Sequence, residues 1–159
     1  MGTDISPIQP GWVPPNLEFQ IDDCTREWTF QPDSLDYVHI RFMNGSIADW
    51  DGLFREAYRC LKPGGWVESS EPSPMLESDD GTVAPTSAWA QWGKIFIEGG
   101  RKNGRSFSVV KDGTQEKAMT KAGFKKLNIS KYKVSRVRLH YHLPRCRVTV
   151  VFGLGGVKY

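Results

Sequence analysis

The chain has 159 residues, of which 39% are hydrophobic and 25% charged, and its formal net charge is +3. This length predicts one globular domain over residues 1–159 and excludes two ordinary domains. No apolar run approaches the ~18 residues of a membrane-spanning helix, and the first residues lack a basic, apolar signal region. We therefore expect no membrane association and a cytoplasmic or nuclear location. Three widely separated cysteines indicate neither a disulfide framework nor a zinc site.

The small net charge conceals a strong asymmetry along the chain. Residues 1–100 contain 6 Lys+Arg and 16 Asp+Glu, whereas residues 101–159 contain 15 and 2. The two parts therefore carry −10 and +13, which sum to the net +3. A basic C-terminal third can attract nucleic acid or an acidic partner, but no recognised nucleic-acid-binding motif accompanies it. We therefore expect this third to pack against the acidic part or to form a solvated face, and we expect no nucleic-acid partner.

Three strands are predicted before residue 43. A short strand ends at Asp4, and four prolines within residues 1–16 then favour an extended connector. Residues 17–21 alternate apolar and polar side chains, which is typical of a half-buried strand. Residues 35–42 combine β-branched and aromatic side chains before the Asn44–Gly45 break and predict a more central strand.

An amphipathic helix is predicted from Trp50 to Leu61. Its apolar residues follow the i, i+3, i+4, i+7 spacing of a helix that packs on one face. Ser46 and Asp49 resemble a capping box at its start. The Pro-Gly-Gly sequence at residues 63–65 is expected to end it and to lead into a strand at Trp66.

The remaining elements are predicted from shorter patterns. Residues 69–85, rich in serine, proline and acids, predict a surface loop, and the spacing of aromatic residues predicts a helix near 86–103. A shorter helix is predicted near 114–122, followed by strands at 125–134 and 148–152. Strands that alternate with helices favour an α/β fold with a mainly parallel sheet and helices on both faces.

These residues resemble the fungal LaeA-like methyltransferases. The resemblance covers about residues 2–133 and is most specific in Ser-Pro-Ile-Gln-Pro at residues 6–10 and Asn-Gly-Ser-Ile at 44–47. It is supported at residues 13–16, 21–23, 37–41, 61–68, 78–82 and 122–124. The resemblance implies a class I, Rossmann-like methyltransferase sheet and S-adenosylmethionine as cofactor. It also implies velvet-type regulatory proteins as partners in secondary metabolism, whereas the methyl acceptor stays unknown and the basic segment 134–159 diverges.

The resemblance also implies a set of cofactor-binding residues. Asp4 occupies the position of the acid that binds the ribose hydroxyls, a task suited to a carboxylate because it accepts two hydrogen bonds; the alternative is a solvated aspartate. Asp22, Asp23 and Cys24 lie in the loop that borders the adenine, or they form an Asx turn. Arg41, at the end of a strand, meets the methionine carboxylate or the substrate, or else pairs with a neighbouring acid.

Four further side chains have two interpretations each. Trp12 and Trp28 either line the adenine pocket or pack in the core or a lid. His39 is interpreted as a core or rim histidine rather than a general base. His140 and His142 alternate as metal ligands do, but two histidines alone do not indicate a metal site.

The sequence departs from the family at the cofactor loop. The family's first strand and Gly-rich loop have no counterpart, and the glycines at 153–156 lack the strand–loop–helix context of such a loop. In the family's strand order, 3-2-1-4-5-7-6, strand 1 is central, so the sheet is expected to divide into two parts with exposed edges. The sequence thus predicts a truncated methyltransferase of doubtful activity alone. The alternatives are a non-catalytic interaction module or regulator that has lost the cofactor site, or a chain without a stable fold.

Overall fold

The structure, a computed structural model, describes residues 1–78, 81, 83–135 and 146–159. Six strands and three helices follow one another in the described part of the chain. In chain order they are β1 (Gly2–Asp4), β2 (Phe19–Ile21), β3 (Leu35–Arg41), α1 (Trp50–Cys60), β4 (Leu61–Ser78), α2 (Ala88–Lys102), α3 (Thr114–Ala122), β5 (Lys125–Ser135) and β6 (Cys146–Val157).

The described strands form two separate sheets. β1 and β2 pair in parallel as a two-stranded sheet, and the other four strands follow the order β3-β4-β6-β5. β3 and β4 are parallel, whereas β6 runs antiparallel to both β4 and β5. The division of the sheet is confirmed, and the α/β class is confirmed. The prediction of a mainly parallel sheet is wrong, because β6 enters between β4 and β5 in the opposite direction.

Helix α1 begins at a cap that differs from the predicted one. The Asp49 carboxylate accepts a hydrogen bond from the Gly52 backbone N–H at 2.9 Å, so Asp49 itself is the N-cap and the capping box with Ser46 is wrong. The helix ends at Cys60, and the chain enters β4 directly at Leu61. The predicted Pro-Gly-Gly turn forms an irregularity within β4, where Gly64 has φ +83°.

The hydrophobic core lies between the four-stranded sheet and helices α1 and α3. Alternate residues of β3, Val38 and Ile40, are buried on the core side, and Tyr37, His39 and Arg41 between and beside them are exposed. From the helices, the fully buried Phe54 and Met119 enter the same cluster. The strands therefore present one apolar face to the helices, as their alternating sequence requires.

The segment predicted as a surface loop is mostly strand. β4 continues to Ser78 and pairs with β6 from Glu71 to Ser78, so the loop prediction for residues 69–85 is wrong as far as residue 78. The loop was predicted because the segment is polar, but Ser69, Ser70 and Glu71 are buried in this strand. The two later helices agree with their predictions: Ser87 caps α2, and α3 ends at Gly123 with φ +109°.

No helix in the described part of the chain is both long and apolar enough to cross a membrane.

Candidate functional site

The carboxyl ends of β1 and β2 bring two of the predicted site residues together. The Asp4 carbonyl oxygen accepts a hydrogen bond from the Asp22 backbone N–H at 3.0 Å. One carboxylate oxygen of Asp4 accepts from the Ser6 backbone N–H at 2.8 Å, and in the described part of the chain nothing donates to the other. Asp4 therefore holds the turn that follows β1 and keeps one oxygen for a ligand.

Asp23 is engaged within its own loop. Its Oδ1 accepts from the backbone N–H and the hydroxyl of Thr25, at 3.0 and 2.7 Å, and its Oδ2 lies 3.5 Å from Arg26 Nε. The two Thr25 hydrogen bonds lower the pKa of Asp23. This geometry is the Asx turn that the sequence allowed as an alternative.

Cys24 lies close to all three aspartates. Burial, together with the charges of Asp23, Asp22 and Asp4, raises the pKa of its thiol. The thiol is therefore held protonated, which disfavours a role as a nucleophile. The four residues at these strand ends form one acidic cluster.

A polar network fixes the loop after β2 against α1. The Trp28 backbone N–H donates to Glu56 Oε2 at 2.9 Å, and its indole N–H donates to the Cys24 carbonyl at 3.0 Å. Arg59 pairs with Glu56 at 2.7 Å and donates to the carbonyls of Trp28 and Phe30. Trp28 packs against the core, as its alternative interpretation allowed, whereas Trp12 is 79% exposed.

Arg41 and Phe42 lie at the carboxyl end of β3. The Arg41 guanidinium is 5.5 Å from the centroid of the Phe42 ring, and it forms no ion pair in the described part of the chain. The structure thus gives no support to the paired-arginine alternative, and among described residues it shows no contact between Arg41 and the acidic cluster. Phe42 has φ +56°, which is costly for a bulky side chain and is found mostly at functional positions.

The buried Glu71 connects the carboxyl ends of β3 and β4. Its two carboxylate oxygens accept hydrogen bonds from the backbone N–H groups of Met43 and Asn44, each at 2.8 Å. Burial raises the pKa of Glu71 to about 7, although the two hydrogen bonds act in the opposite direction. Glu71 thereby positions the loop that contains Asn44 and Gly45. This role of Glu71 was not predicted from the sequence, because the polar composition of residues 69–85 indicates a surface loop.

A cavity of about 280 Å³ opens beside this loop. It is lined by Phe42, Asn44, Pro72, Ser73, Pro74, Leu76, Trp92, Phe96 and Phe107. The Asn44 side-chain amide donates to the carbonyls of Pro72 and Phe107, at 2.9 and 3.2 Å, and so ties three segments of the wall together. None of the predicted cofactor-binding residues lines it, and the aromatic spacing of α2 was its only signal in the sequence.

His39 and the glycines at 153–156 are not part of this site. His39 is exposed beside Tyr37, with ring centroids 6.3 Å apart. No group of three metal-ligating side chains occurs among the residues that the structure describes, and His140 and His142 lie outside them. The glycines at 153–156 belong to β6, so they do not form a cofactor loop.

Comparison with known proteins places these features in a family. The profile of a methyltransferase domain matches residues 1–129. Methyltransferase pytC of Aspergillus terreus is 37% identical over 134 residues, which are 84% of this chain and 40% of pytC. Secondary metabolism regulator LAE1 of Cochliobolus heterostrophus is 39% identical over 94 residues, covering 58% of this chain and 31% of that protein. The chain therefore spans less than half of the length of these relatives.

A solved structure shares the fold. Phosphoethanolamine N-methyltransferase 2 of Haemonchus contortus, in complex with phosphomonomethylethanolamine and S-adenosylhomocysteine, matches with a TM-score of 0.51. The match has 20% identity and covers 88% of this chain and 37% of that one. The class I methyltransferase fold and the resemblance to LaeA-like proteins are thus confirmed.

Proposed function

The chain belongs to the methyltransferase-domain family, and from that premise we propose that it is an S-adenosylmethionine-dependent methyltransferase of fungal secondary metabolism. The observation that carries the proposal is Asp4. It ends a parallel strand, it is hydrogen-bonded to the loop after the neighbouring strand, and one of its carboxylate oxygens is unused among the described contacts. Open α/β sheets bind their ligands at this end of the strands.

The side chains at the strand ends fit the parts of the cofactor. The unused oxygen of Asp4 suits a ribose hydroxyl, because a carboxylate is a strong acceptor of such hydrogen bonds. The loop at Asp22, Asp23 and Cys24 would border the adenine. The guanidinium of Arg41, which pairs with no acid among the described residues, would hold the methionine carboxylate. When bound, the cofactor supplies an electrophilic methyl group, so the chain mainly has to bind and orient the two reactants.

The proposal is tested by titrating the chain with S-adenosylhomocysteine in a calorimeter. We expect binding, and we expect Asp4→Asn to weaken it about 10- to 100-fold, since one charge-assisted hydrogen bond contributes about 1.5–3 kcal/mol. The asparagine keeps an oxygen for the Ser6 N–H but loses the second acceptor and the charge. Asp36→Asn is the matched control, because Asp36 is an exposed aspartate paired with Lys62 at 2.8 Å.

Two results would overturn the proposal. A folded chain that binds no S-adenosylhomocysteine has no working cofactor site. Equal affinities of the Asp4→Asn variant and the unaltered chain would remove Asp4 from the site and with it the observation that carries the proposal.

A second candidate function is a regulator that acts by binding a partner without the cofactor. It is favoured by the division of the sheet, since β3 pairs only with β4 among the described strands and an unpaired strand edge can accept another chain. A velvet-type protein in the cytoplasm or nucleus is the partner that the resemblance suggests. A one-to-one complex with such a protein, measured by light scattering without cofactor and unchanged by Asp4→Asn, supports this candidate; no complex contradicts it.

A further inference from the structure

Three aromatic side chains form a continuous wall of the cavity beside β4. The ring centroids of Trp92 and Phe96 on α2 are 5.2 Å apart, and those of Phe96 and Phe107 are 5.4 Å apart. The planes are inclined by 61° and 54°, arrangements that aromatic rings favour. A Cβ atom at Gly45 would lie 2.0 Å from the Phe107 ring, so a glycine is needed there for this ring to reach its place.

None of the described residues that line the cavity carries a charge. Among the lining residues that the structure describes, Asn44 and Ser73 are the only polar ones, and both donor positions of the Asn44 amide are occupied by carbonyls. Glu71, next to Pro72 in the chain, is fully buried and uses both oxygens on backbone N–H groups. The described lining offers a charged ligand no opposite charge to replace its hydration, and Arg41, 5.5 Å from the Phe42 ring centroid, is not among the lining residues. The lining is therefore complementary to a neutral ligand.

Two rings of the lining remain largely open to solvent. Phe42 is 59% exposed and Trp92 is 51% exposed. An occupant that covers them removes apolar surface from water, which favours its binding. The strained backbone of Phe42 is a further mark of a functional position, because such strain persists where the fold has a use for it.

From these observations we propose that the cavity binds the methyl acceptor, and that the acceptor is a neutral, flat aromatic molecule. The acceptor role rests on the proposed function, since methyl transfer requires the cofactor. The link between the two is Phe42, which lines the cavity and follows Arg41, the residue proposed to hold the methionine carboxylate. The volume of about 280 Å³ is near the lower end for small-molecule pockets and suits an acceptor of about two fused rings. Flat rings can pack against the inclined rings of Trp92 and Phe96, which a puckered saturated ring does less well.

The test is a calorimetric titration of the unaltered chain with three probes of similar size. 2-Naphthol is flat and neutral, decahydro-2-naphthol is neutral but saturated, and 2-naphthoate is flat but charged. We expect 2-naphthol to bind about tenfold more tightly than either of the other two. If decahydro-2-naphthol binds as tightly as 2-naphthol or more tightly, the proposal that the acceptor is aromatic is overturned. If 2-naphthoate does so, the proposal that the acceptor is neutral is overturned.

A pair of variants locates the bound probe. Trp92 lines the cavity, whereas Trp89 lies one turn earlier on the same helix, is 47% exposed and does not line it. We expect Trp92→Leu to weaken 2-naphthol binding about tenfold and Trp89→Leu to leave it unchanged. Equal effects of the two substitutions would place the probe elsewhere. The three-probe series does not depend on either variant, so a misfolded variant leaves the proposal falsifiable.

A parallel titration with S-adenosylhomocysteine separates this proposal from the proposed function. Binding of 2-naphthol without S-adenosylhomocysteine supports the aromatic cavity and overturns the methyltransferase role. Binding of S-adenosylhomocysteine without 2-naphthol overturns the acceptor class and leaves the methyltransferase role in place.

Discussion

Residues 1–34 contain no buried side chain, whereas the stretch from Leu35 to Phe124 contains all the buried hydrophobic residues among those whose burial the structure describes. The first region has β1 and β2, and the second has β3 with the helices that cover it. The first region is joined to the second by the hydrogen bonds of Trp28 with Glu56 and Arg59 and by the partly buried Cys24 and Trp28, which pack against the core. The second region therefore depends mainly on full apolar burial, whereas the first depends more on directed polar contacts.

This difference matters because the proposed site uses both regions. Asp4 and the loop after β2 belong to the weakly buried region, whereas Glu71 and the aromatic cavity belong to the core region. Local stability follows buried apolar contact, so the cofactor end of the site should open more readily than the acceptor end.

The largest expected effect is on the free energy of unfolding, when one phenylalanine in each region is replaced by alanine. Phe54→Ala removes a fully buried ring and should lower the free energy of unfolding by about 3–5 kcal/mol. Phe19→Ala on β2, where the ring is 38% exposed, should cost much less. Urea denaturation followed by circular dichroism measures both. Equal losses would show that the two regions share one core and would break the comparison.

A smaller effect is expected from the titration of Glu71. Its pKa is raised from an ordinary 4.5 to about 7 in the folded chain. Between these values the folded state binds more protons than the unfolded state, so stability is full below pH 4.5, falls as pH rises, and levels off above about 7. The total loss should be about 3 kcal/mol.

The Glu71→Gln variant is the control for this titration. Glutamine does not ionise, so the difference in unfolding free energy between the two proteins should change with pH across the same window. Denaturation curves at pH 4.5, 6 and 7.5 measure this difference. A difference that stays constant would show that Glu71 titrates normally and that burial does not control it.

The smallest expected effect is local and concerns the loop after β2. Glu56→Gln removes the charge that holds Arg59 and weakens the acceptor of the Trp28 N–H, so hydrogen exchange of this amide should accelerate about 5- to 30-fold, equivalent to about 1–2 kcal/mol. Glu98→Gln is the control, because it breaks an exposed i, i+3 pair with Arg101 on α2. If both substitutions accelerate exchange at Trp28 equally, the polar network does not hold the first region.

The extents of the helices were predictable because their signals are local, although the cap that begins α1 and the residues that end it differ from the prediction. The apolar spacing from Trp50 and the glycine at 123 gave α1 and α3 nearly to the residue, since a helix satisfies its own hydrogen bonds within four positions. The predicted site residues Asp4 and Asp22 also proved to be neighbours, because parallel strands place their carboxyl ends together.

The extent of β4, the burial of Glu71 and the aromatic cavity were decided only by the tertiary structure. The strand from Ser69 to Ser78 has no apolar alternation to reveal it, and it exists because β6 supplies hydrogen-bond partners from far along the chain. From the sequence alone, Glu71 is expected to be a solvated acid. In the folded chain its carboxylate accepts hydrogen bonds from the N–H groups of Met43 and Asn44, which are 28 and 27 residues away. Sequence patterns report local periodicity and composition, whereas the free energy of a buried charge or a cavity depends on groups that only folding brings together.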